Sequence, residues 1–387
     1  MALDRQKLAV VIPLGITQTI AWASSYYLPA ILARPIAADL DVAPSVIYGA
    51  LTFALVIAGL LGPRVGHAID RLGGRELLCV SNLVFVAGLV ILGAAHGLVT
   101  LAIAWLFLGV GMGLGLYEAA FATLTRFYGT EARSAITGIT LIAGFASTVG
   151  WPVTTLIDAH YGWRSACLFW ALAHVLFALP LNFWLPRLSP SHTVGAATDV
   201  QGVPDKAAET RAMILIAYVF AATGFVSVGL SAMLPALMQQ LGATPAAALL
   251  SATLVGPAQV LARIIEASLL RRMHPLTSTR LATVMHPIGA ALIAVGGPII
   301  APAFTILYGA GNGILTIARG TLPLAVFGPV GFGRRVGVLA VPARVSGAIA
   351  PLVLGLLMQS FGANVLWISA ALSVSAFAAL YLMRLKA

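Results

Sequence analysis

Runs of apolar residues long enough to cross a lipid bilayer recur along almost the whole chain. A transmembrane helix needs about 20 predominantly apolar residues, and the 387-residue sequence is 60% hydrophobic. Only 9% of its residues are charged, against roughly 25% in an average soluble domain, so a water-soluble fold is excluded. We predict an all-α membrane protein with twelve spans, in the runs 8–33, 44–65, 77–95, 98–122, 134–157, 165–185, 212–236, 246–270, 279–300, 302–327, 335–358 and 363–383.

The basic residues indicate the orientation of these spans. A net charge of +10 would suggest nucleic-acid binding in a soluble protein, but here the charges follow the predicted topology. If the N-terminus is cytoplasmic, only Arg34 and Arg164 lie on the opposite side, and three further arginines lie inside runs. Cytoplasmic loops of membrane proteins carry an excess of Lys and Arg. We therefore expect both termini in the cytoplasm, a bacterial-type inner membrane location, and no nucleic-acid partner.

One long polar stretch divides the chain almost in half. It predicts a 1–185 N-terminal six-helix bundle, a 186–211 cytoplasmic linker and a 212–387 C-terminal six-helix bundle. The halves look like internal repeats. Gly62-Pro63 recurs as Gly256-Pro257, 194 residues later, and Gly111-x-Gly113-x-Gly115 recurs as Gly309-x-Gly311-x-Gly313, 198 residues later. The first half has a further glycine at 109, and the overlapping G-x-x-x-G pairs predict close helix packing.

A short charged turn separates the second and third runs. Its glycines suit close helix approach and positive φ, and its aspartate can bond helix-terminal N–H groups or an arginine. The pattern G-x-x-x-D-R-x-G-x-R resembles the loop between helices two and three of the major facilitator superfamily, except that Gly74 stands where that family usually has Arg or Lys. The resemblance implies a cytoplasmic gate formed by Gly66, Asp70, Arg71, Gly73 and Arg75.

With twelve runs and a central linker, the resemblance covers essentially the whole chain. It implies two pseudo-symmetric six-helix bundles around a central cavity, lined largely by helices 1, 4, 7 and 10, and a carrier that works by alternating access. A simpler interpretation of the charged turn itself is a polar hairpin between two spans. We expect the protein to function as a monomer.

Ionisable residues inside spans are costly and need a reason. Glu118 lies in run 4 and Arg319 in run 10, where Arg319 forms one polar stripe with Asn312 and Thr316. Arg344 lies in run 11 and requires an acidic partner or an anionic ligand. We predict that Arg319, Arg344, Asn312 and Thr316 bind substrate and that Glu118 carries a coupling proton, the alternative being that Glu118 and Arg319 form a structural pair.

The first run carries a polar face. Gln18, Trp22, Ser25 and Pro29 recur at helical spacing, and lipid cannot satisfy polar groups. We therefore add Gln18 and Trp22 to the predicted substrate-binding residues.

Two further sets of polar residues lie in apolar runs. Arg263 and Glu266 are spaced to pair along one helix, near the cytoplasmic end of run 8, and we assign them to the gate or to a structural pair. His174 and His286 are interpreted as hydrogen-bonded residues rather than proton carriers.

These features favour a secondary transporter over other classes of protein. Three intramembrane arginines against two glutamates predict a small organic anion, monocarboxylate-like, moved by a proton symporter. The alternative is a proton-driven efflux antiporter for hydrophobic or cationic drugs. No H-E-x-x-H, G-x-S-x-G or nucleotide-binding loop supports an enzyme or ATP drive, and we expect no cofactor and no metal. The absence of a sizeable soluble domain argues against a receptor.

Overall fold

The computed structural model describes residues 5–187 and 206–383. Most of the predicted linker, 188–205, lies outside the described residues. Those that are described form helices and turns, with no strand. The α-helices are α1 Arg5–Ser24, α2 Pro29–Asp39, α3 Pro44–Leu72, α4 Arg75–Gly93, α5 Leu98–Gly115, α6 Tyr117–Tyr128, α7 Ala132–Ala143, α8 Ala146–Ala173, α9 Leu179–Phe183, α10 Lys206–Gln240, α11 Pro245–Thr253, α12 Val255–Ser268, α13 Pro275–Gly296, α14 Ala301–Phe327, α15 Phe332–Phe361 and α16 Val365–Tyr381.

Glycines with positive φ turn the longest helical stretches back across the membrane. Within the described residues, eight stretches are long and apolar enough to span. The longest reverses at Gly129 (φ 55°) and Gly162 (φ 80°), and two others reverse at Gly297 (φ 66°) and Gly362 (φ 56°). Side chains with a Cβ rarely adopt this backbone conformation. These four reversals divide eight stretches into the twelve spans predicted, so the all-α, twelve-helix fold is confirmed.

The turn at Gly162 is held by the arginine two residues later. Arg164 donates to the Asp39 carboxylate at the end of α2 (2.5 Å) and to the carbonyl of Ala95 after α4 (2.9 Å). Its guanidinium also lies 4.3 Å from the Trp163 ring centre. One side chain thus joins three helix ends on this side of the bundle.

The chain folds into two compact units. Unit 1 comprises residues 1–200 and 328–341, and unit 2 comprises residues 201–327 and 342–387. The first turns of α15 therefore belong to unit 1 and the remainder of that helix to unit 2.

In unit 1, the glycines of α5 lie at two helix contacts. A Cβ on Gly109 would lie 2.8 Å from the backbone of Ala54 in α3, and one on Gly113 would lie 3.3 Å from Ala58. On the other face, a Cβ on Gly111 would lie 2.9 Å from the Phe85 side chain of α4, and one on Gly115 would lie 2.4 Å from the Ser81 side chain. One G-x-x-x-G pair of α5 therefore packs against α3 and the other against α4. The predicted close helix packing is confirmed.

Unit 2 repeats this arrangement. Cβ atoms on Gly309 and Gly313 of α14 would lie 2.7 and 2.4 Å from carbonyl oxygens of α12, and one on Gly311 would lie 2.8 Å from Ala282 of α13. The contacts equate Gly309 with Gly109, so the repeat offset is 200 residues rather than the 198 inferred from the glycine pattern. With this offset Glu118 corresponds to Ala318, whereas the 198-residue offset would have paired it with Thr316.

Gly62-Pro63 and Gly256-Pro257, which look like a repeat in the sequence, do not occupy equivalent positions in the two units. A Cβ on Gly62 would meet the backbone of Gly337 at 3.0 Å, whereas one on Gly256 would meet nothing within 4 Å. The two glycines are alike in sequence but have different surroundings, because glycine and proline recur in membrane helices for several reasons.

Gly109→Ala tests the packing of α5. The added methyl group has no space against the Ala54 backbone, so α3 and α5 must separate, at a cost of about 1–3 kcal/mol. We expect the melting temperature of the purified protein to fall by several degrees. Gly49→Ala in α3 is the matched control, because nothing lies within 4 Å of its Cβ position, and an equal loss in both variants would contradict this account.

Candidate functional site

Asp70, at the C-terminal end of α3, caps the start of another helix. Its two carboxylate oxygens accept hydrogen bonds from the backbone N–H groups of Gly333 and Arg334, both at 2.9 Å. These are among the first N–H groups of α15, which have no partner inside their own helix. A carboxylate is also favoured there by the positive end of the helix dipole. The aspartate of the charged turn therefore binds a helix N-terminus in unit 1.

Paired glycines bring the two helices close enough for this cap. A Cβ on Gly66 would lie 1.9 Å from the carbonyl oxygen of Gly333, and one on Gly337 would lie 2.2 Å from that of Gly62. Each helix thus contributes a G-x-x-x-G pair. Gly333-x-x-x-Gly337 was not singled out from the sequence, although its spacing matches that of Gly62-x-x-x-Gly66.

The other residues assigned to the gate have different environments. Gly73 has φ 91° and ends α3, as predicted. Arg75 lies 4.4 Å over the Phe183 ring, and Arg71 is exposed. Gly74 has φ −94°, so positive φ is not its role. A Cβ there would lie 1.7 Å from the Thr123 hydroxyl, and the structure has no room for the basic side chain of the family pattern.

A break in the fourth span lies directly before Glu118. Leu116 has an extended backbone (φ −81°, ψ −169°) between α5 and α6. The N–H of Ala119, which an unbroken helix would bond to Gly115, bonds to the carbonyl of Leu116 instead. The Gly115 carbonyl accepts from the Gln18 side-chain amide at 2.6 Å. Gln18 therefore replaces the missing backbone bond, and Glu118 lies half-buried in the first turn of α6.

An aromatic cluster surrounds this break. The Trp22 ring lies 4.9 Å from that of Tyr117 and 5.3 Å from that of Tyr26. Tyr27, 6.1 Å from Trp22, continues the cluster to Trp151 of α8, 5.9 Å further on. Of these rings only Trp22 was a site candidate; the other four were missed, because aromatic residues are frequent in membrane helices.

Two buried polar atoms in this region have no hydrogen-bond partner among the residues that the structure describes. They are the side-chain oxygen of Gln18, a residue only 1% exposed, and the indole nitrogen of Trp22. Beside the cluster, one exposed face of α8, which includes Trp151 and Thr155, borders an open surface groove of about 670 Å³. The region therefore combines aromatic faces, one acceptor, one donor and space for a small molecule.

In unit 2, the predicted polar stripe on α14 gains a basic neighbour from α12. The Thr316 hydroxyl donates to the Asn312 carbonyl at 2.9 Å, and the Arg263 guanidinium lies 3.5 Å from the Thr316 oxygen. Arg263, assigned to the gate or to a structural pair on its position in the sequence, is 6% exposed and contacts the stripe through Thr316. The side chain of Arg319 approaches α10 at Gly224, within 3.6 Å of where a Cβ would lie.

The remaining candidates also lie in unit 2. Glu266 is 1% exposed on α12, one turn after Arg263. Arg344 is half-buried on α15, beside Ser346, whose hydroxyl donates to the Ala221 carbonyl of α10 at 2.8 Å. Among the described residues, no group of three His, Cys, Asp or Glu side chains can hold a metal ion.

Comparison with known proteins identifies the family. The sequence profile of the Major Facilitator Superfamily matches residues 14–329. This chain belongs to the Major Facilitator Superfamily. It is 31% identical to the cis,cis-muconate transport protein of Acinetobacter baylyi over 156 residues, which cover 37% of this chain and 36% of the relative. The matched segment thus spans about a third of that relative's length.

Solved structures share the fold at low identity. The human organic anion transporter MFSD10 superposes with a TM-score of 0.73 at 16% identity, covering 97% of this chain and 99% of the other. The Escherichia coli fucose:proton symporter FucP superposes with a TM-score of 0.74 at 14% identity, covering 99% of this chain and 100% of the other. The chain is an integral membrane protein with the fold of these transporters.

Asp70→Asn tests the cap on α15. The substitution places an amide N–H where an oxygen now accepts from Gly333 or Arg334, and a hydrogen bond to a charged group contributes about 1.5–3 kcal/mol. We expect hydrogen exchange at these two amides to accelerate roughly 10- to 100-fold, measured by mass spectrometry on folded protein.

Arg71→Gln is the matched control for this experiment, because the side chain is adjacent in sequence and exposed. Unchanged exchange at Gly333 and Arg334 in Asp70→Asn, or an equal acceleration in Arg71→Gln, would contradict the capping role.

Proposed function

We propose that this chain is a proton-coupled secondary transporter of a small organic anion carrying a carboxylate on a planar, unsaturated skeleton. The observation that carries the choice of an anion is the donor-rich stripe of unit 2. Asn312, Thr316 and Arg319 line one face of α14, and Arg263 reaches Thr316 from α12. Guanidinium groups bind carboxylates through paired hydrogen bonds.

The aromatic cluster of unit 1 supports the planar skeleton. Offset stacking of a conjugated ligand on Trp22 and Tyr117 is favourable. A carboxylate oxygen also complements the buried Trp22 indole N–H, which reaches no acceptor among the described residues. The 31% sequence identity over 156 residues with a cis,cis-muconate transport protein supports this class of substrate.

Glu118 is our candidate for the coupling proton. It is half-buried in the first turn of α6, next to Tyr117 and to the break that Gln18 satisfies. A carboxyl group at a broken membrane helix is well placed to exchange a proton when its surroundings change. The Asp70 cap on α15 is our candidate for the gate.

A second candidate function follows from the same aromatic cluster. Aromatic faces also attract cations, and a nearby carboxylate strengthens that attraction. This favours the alternative of an efflux antiporter for hydrophobic cations, with Glu118 binding the drug or its competing proton.

The substrate class is tested by binding to purified protein. cis,cis-Muconate is expected to raise the melting temperature, and tetraphenylphosphonium is not. Arg319→Gln is expected to weaken muconate affinity about 10- to 100-fold, and Arg319→Lys to recover only part of it, because ammonium lacks the planar fork. Arg272→Gln, at an exposed position in unit 2, is the control. Stabilisation by tetraphenylphosphonium alone would favour the antiporter.

Proton coupling is tested in proteoliposomes. An imposed proton gradient is expected to drive muconate accumulation in the wild type. In Glu118→Gln the accumulation is expected to vanish while exchange of muconate across the membrane continues, because exchange needs no net proton movement. Accumulation that survives in Glu118→Gln would assign the coupling proton to another residue.

Orientation and location are proposed on the distribution of Lys and Arg. We place both termini in the cytoplasm of a bacterial-type cell, and labelling of the 186–211 linker with an impermeant reagent from either side would test this assignment.

A further inference from the structure

A small polar pocket lies inside unit 2, enclosed by α10, α13, α14 and α16. Its volume is about 10 Å³, close to the minimum that holds one water molecule. Its polar lining consists of Thr223, Thr283, His286, Tyr308, Asn312 and Ser373. A polar pocket of this size inside a membrane bundle must satisfy its own hydrogen bonds.

The neighbours of His286 fix which ring nitrogen carries the proton. The Ser369 hydroxyl donates its single proton to the Leu366 carbonyl at 2.8 Å. With its proton on that carbonyl, its oxygen, 3.0 Å from His286 Nε2, is an acceptor for that nitrogen. The ring carries its proton on Nε2, so Nδ1 presents a lone pair. Nδ1 is buried and has no donor within reach.

Asn312 presents the complementary group. Its side chain lies beside the Tyr308 hydroxyl, but the buried amide nitrogen Nδ2 reaches no acceptor in hydrogen-bond geometry. The Tyr308 proton is directed to the Ser227 carbonyl at 2.5 Å. The pocket thus holds one donor without an acceptor and one acceptor without a donor.

The hydroxyl groups of the lining can only accept. Thr223 donates to Val219 at 2.7 Å, Thr283 to Arg280 at 2.8 Å and Ser373 to Ser369 at 3.1 Å, each to a backbone carbonyl. A hydroxyl has one proton, so none of the three has one left for His286 Nδ1. Within residues 5–187 and 206–383, no protein donor lies within hydrogen-bond reach of this nitrogen.

We propose that the pocket binds one water molecule, which accepts from Asn312 Nδ2 and donates to His286 Nδ1. Its second proton has the hydroxyl oxygens of Thr223, Thr283 and Ser373 as acceptors. His286 is then a positioning residue that acts through this water on the Asn312 amide. It stays neutral, because its Nδ1 accepts a hydrogen bond and the groups facing it, Phe304, Tyr308 and Ser369, are uncharged.

The second fully buried histidine provides an internal comparison in unit 1. Asn82 donates from its amide nitrogen to the Leu78 carbonyl at 2.7 Å, so its oxygen must accept from His174 Nδ1 at 2.8 Å. His174 Nε2 then accepts from the Ser24 hydroxyl at 2.8 Å. His174 is therefore protonated on Nδ1, the opposite of His286, and both of its ring nitrogens are satisfied by protein.

Solid-state NMR on ¹⁵N-histidine-labelled protein in lipid bilayers tests the site in the wild type. At neutral pH we expect a proton on Nε2 of His286 and on Nδ1 of His174, with signals assigned by their loss in His286→Gln and His174→Gln. Magnetisation transfer from water protons is expected to reach Nδ1 of His286 and neither nitrogen of His174. A proton on His286 Nδ1, or no transfer from water to that nitrogen, would overturn the proposal.

The positioning role rests on the proposed function and has its own test. His286→Leu is expected to weaken cis,cis-muconate binding about 3- to 10-fold, the value of one hydrogen bond. In an Asn312→Ala background the same change is expected to have no further effect, because His286 acts through Asn312. Additive losses would overturn the positioning role. Absence of muconate binding in the wild type would instead count against the proposed function, and the NMR result would still decide the water site.

Discussion

In a lipid bilayer every backbone N–H and C=O group must find its partner inside the protein. This constraint explains why the described chain is almost entirely helical, and it also explains its exceptions. At two places where a helix is interrupted or begins, a polar side chain from a distant part of the chain meets the freed backbone groups. Gln18 bonds the carbonyl released at Gly115, and Asp70 bonds the amides at the start of α15.

These hydrogen bonds from side chains to freed backbone groups lie at the candidate functional residues of unit 1. A bond between a side chain and a backbone end is easier to exchange than a bond inside a helix, since it can break without unfolding a turn. We therefore propose that the break before Glu118 and the cap on α15 are places where the protein changes shape. Glycines allow α3 to approach α15 closely enough for the cap, because a Cβ on Gly66 or Gly337 would overlap the facing backbone.

The buried histidines illustrate the same constraint on side chains. His174 and His286 have similar surroundings in sequence, an apolar run with small residues. In the fold their ring nitrogens have different neighbours: Asn82 and Ser24 contact the two nitrogens of His174, and Ser369 contacts Nε2 of His286. Both ring nitrogens of His174 have protein partners. Around His286, its Nδ1 and the Asn312 amide nitrogen instead face a pocket.

The sequence by itself determined the class of fold and its packing seams. Hydrophobic run lengths predicted twelve spans, the charged turn indicated the family, and the spacing of Gly109 to Gly115 indicated a helix that packs closely on its neighbours. These are local properties, set by residues within about one span of each other. The expectation of positive φ at a glycine of the charged turn, which Gly73 meets, was local in the same way.

Only the tertiary structure decided the rest. No proline marks the break at Leu116 in the sequence. The break is stabilised by the Gln18 amide, which donates to the Gly115 carbonyl at 2.6 Å although the two residues are 97 positions apart in the sequence. The repeat offset of 200 residues, the contact of Arg263 with Thr316, and the exclusion of a basic residue at position 74 by Thr123 likewise depend on which helices meet. Such contacts join residues whose local sequences carry no information about each other, and the physical reason is that packing, unlike hydropathy, is a property of pairs.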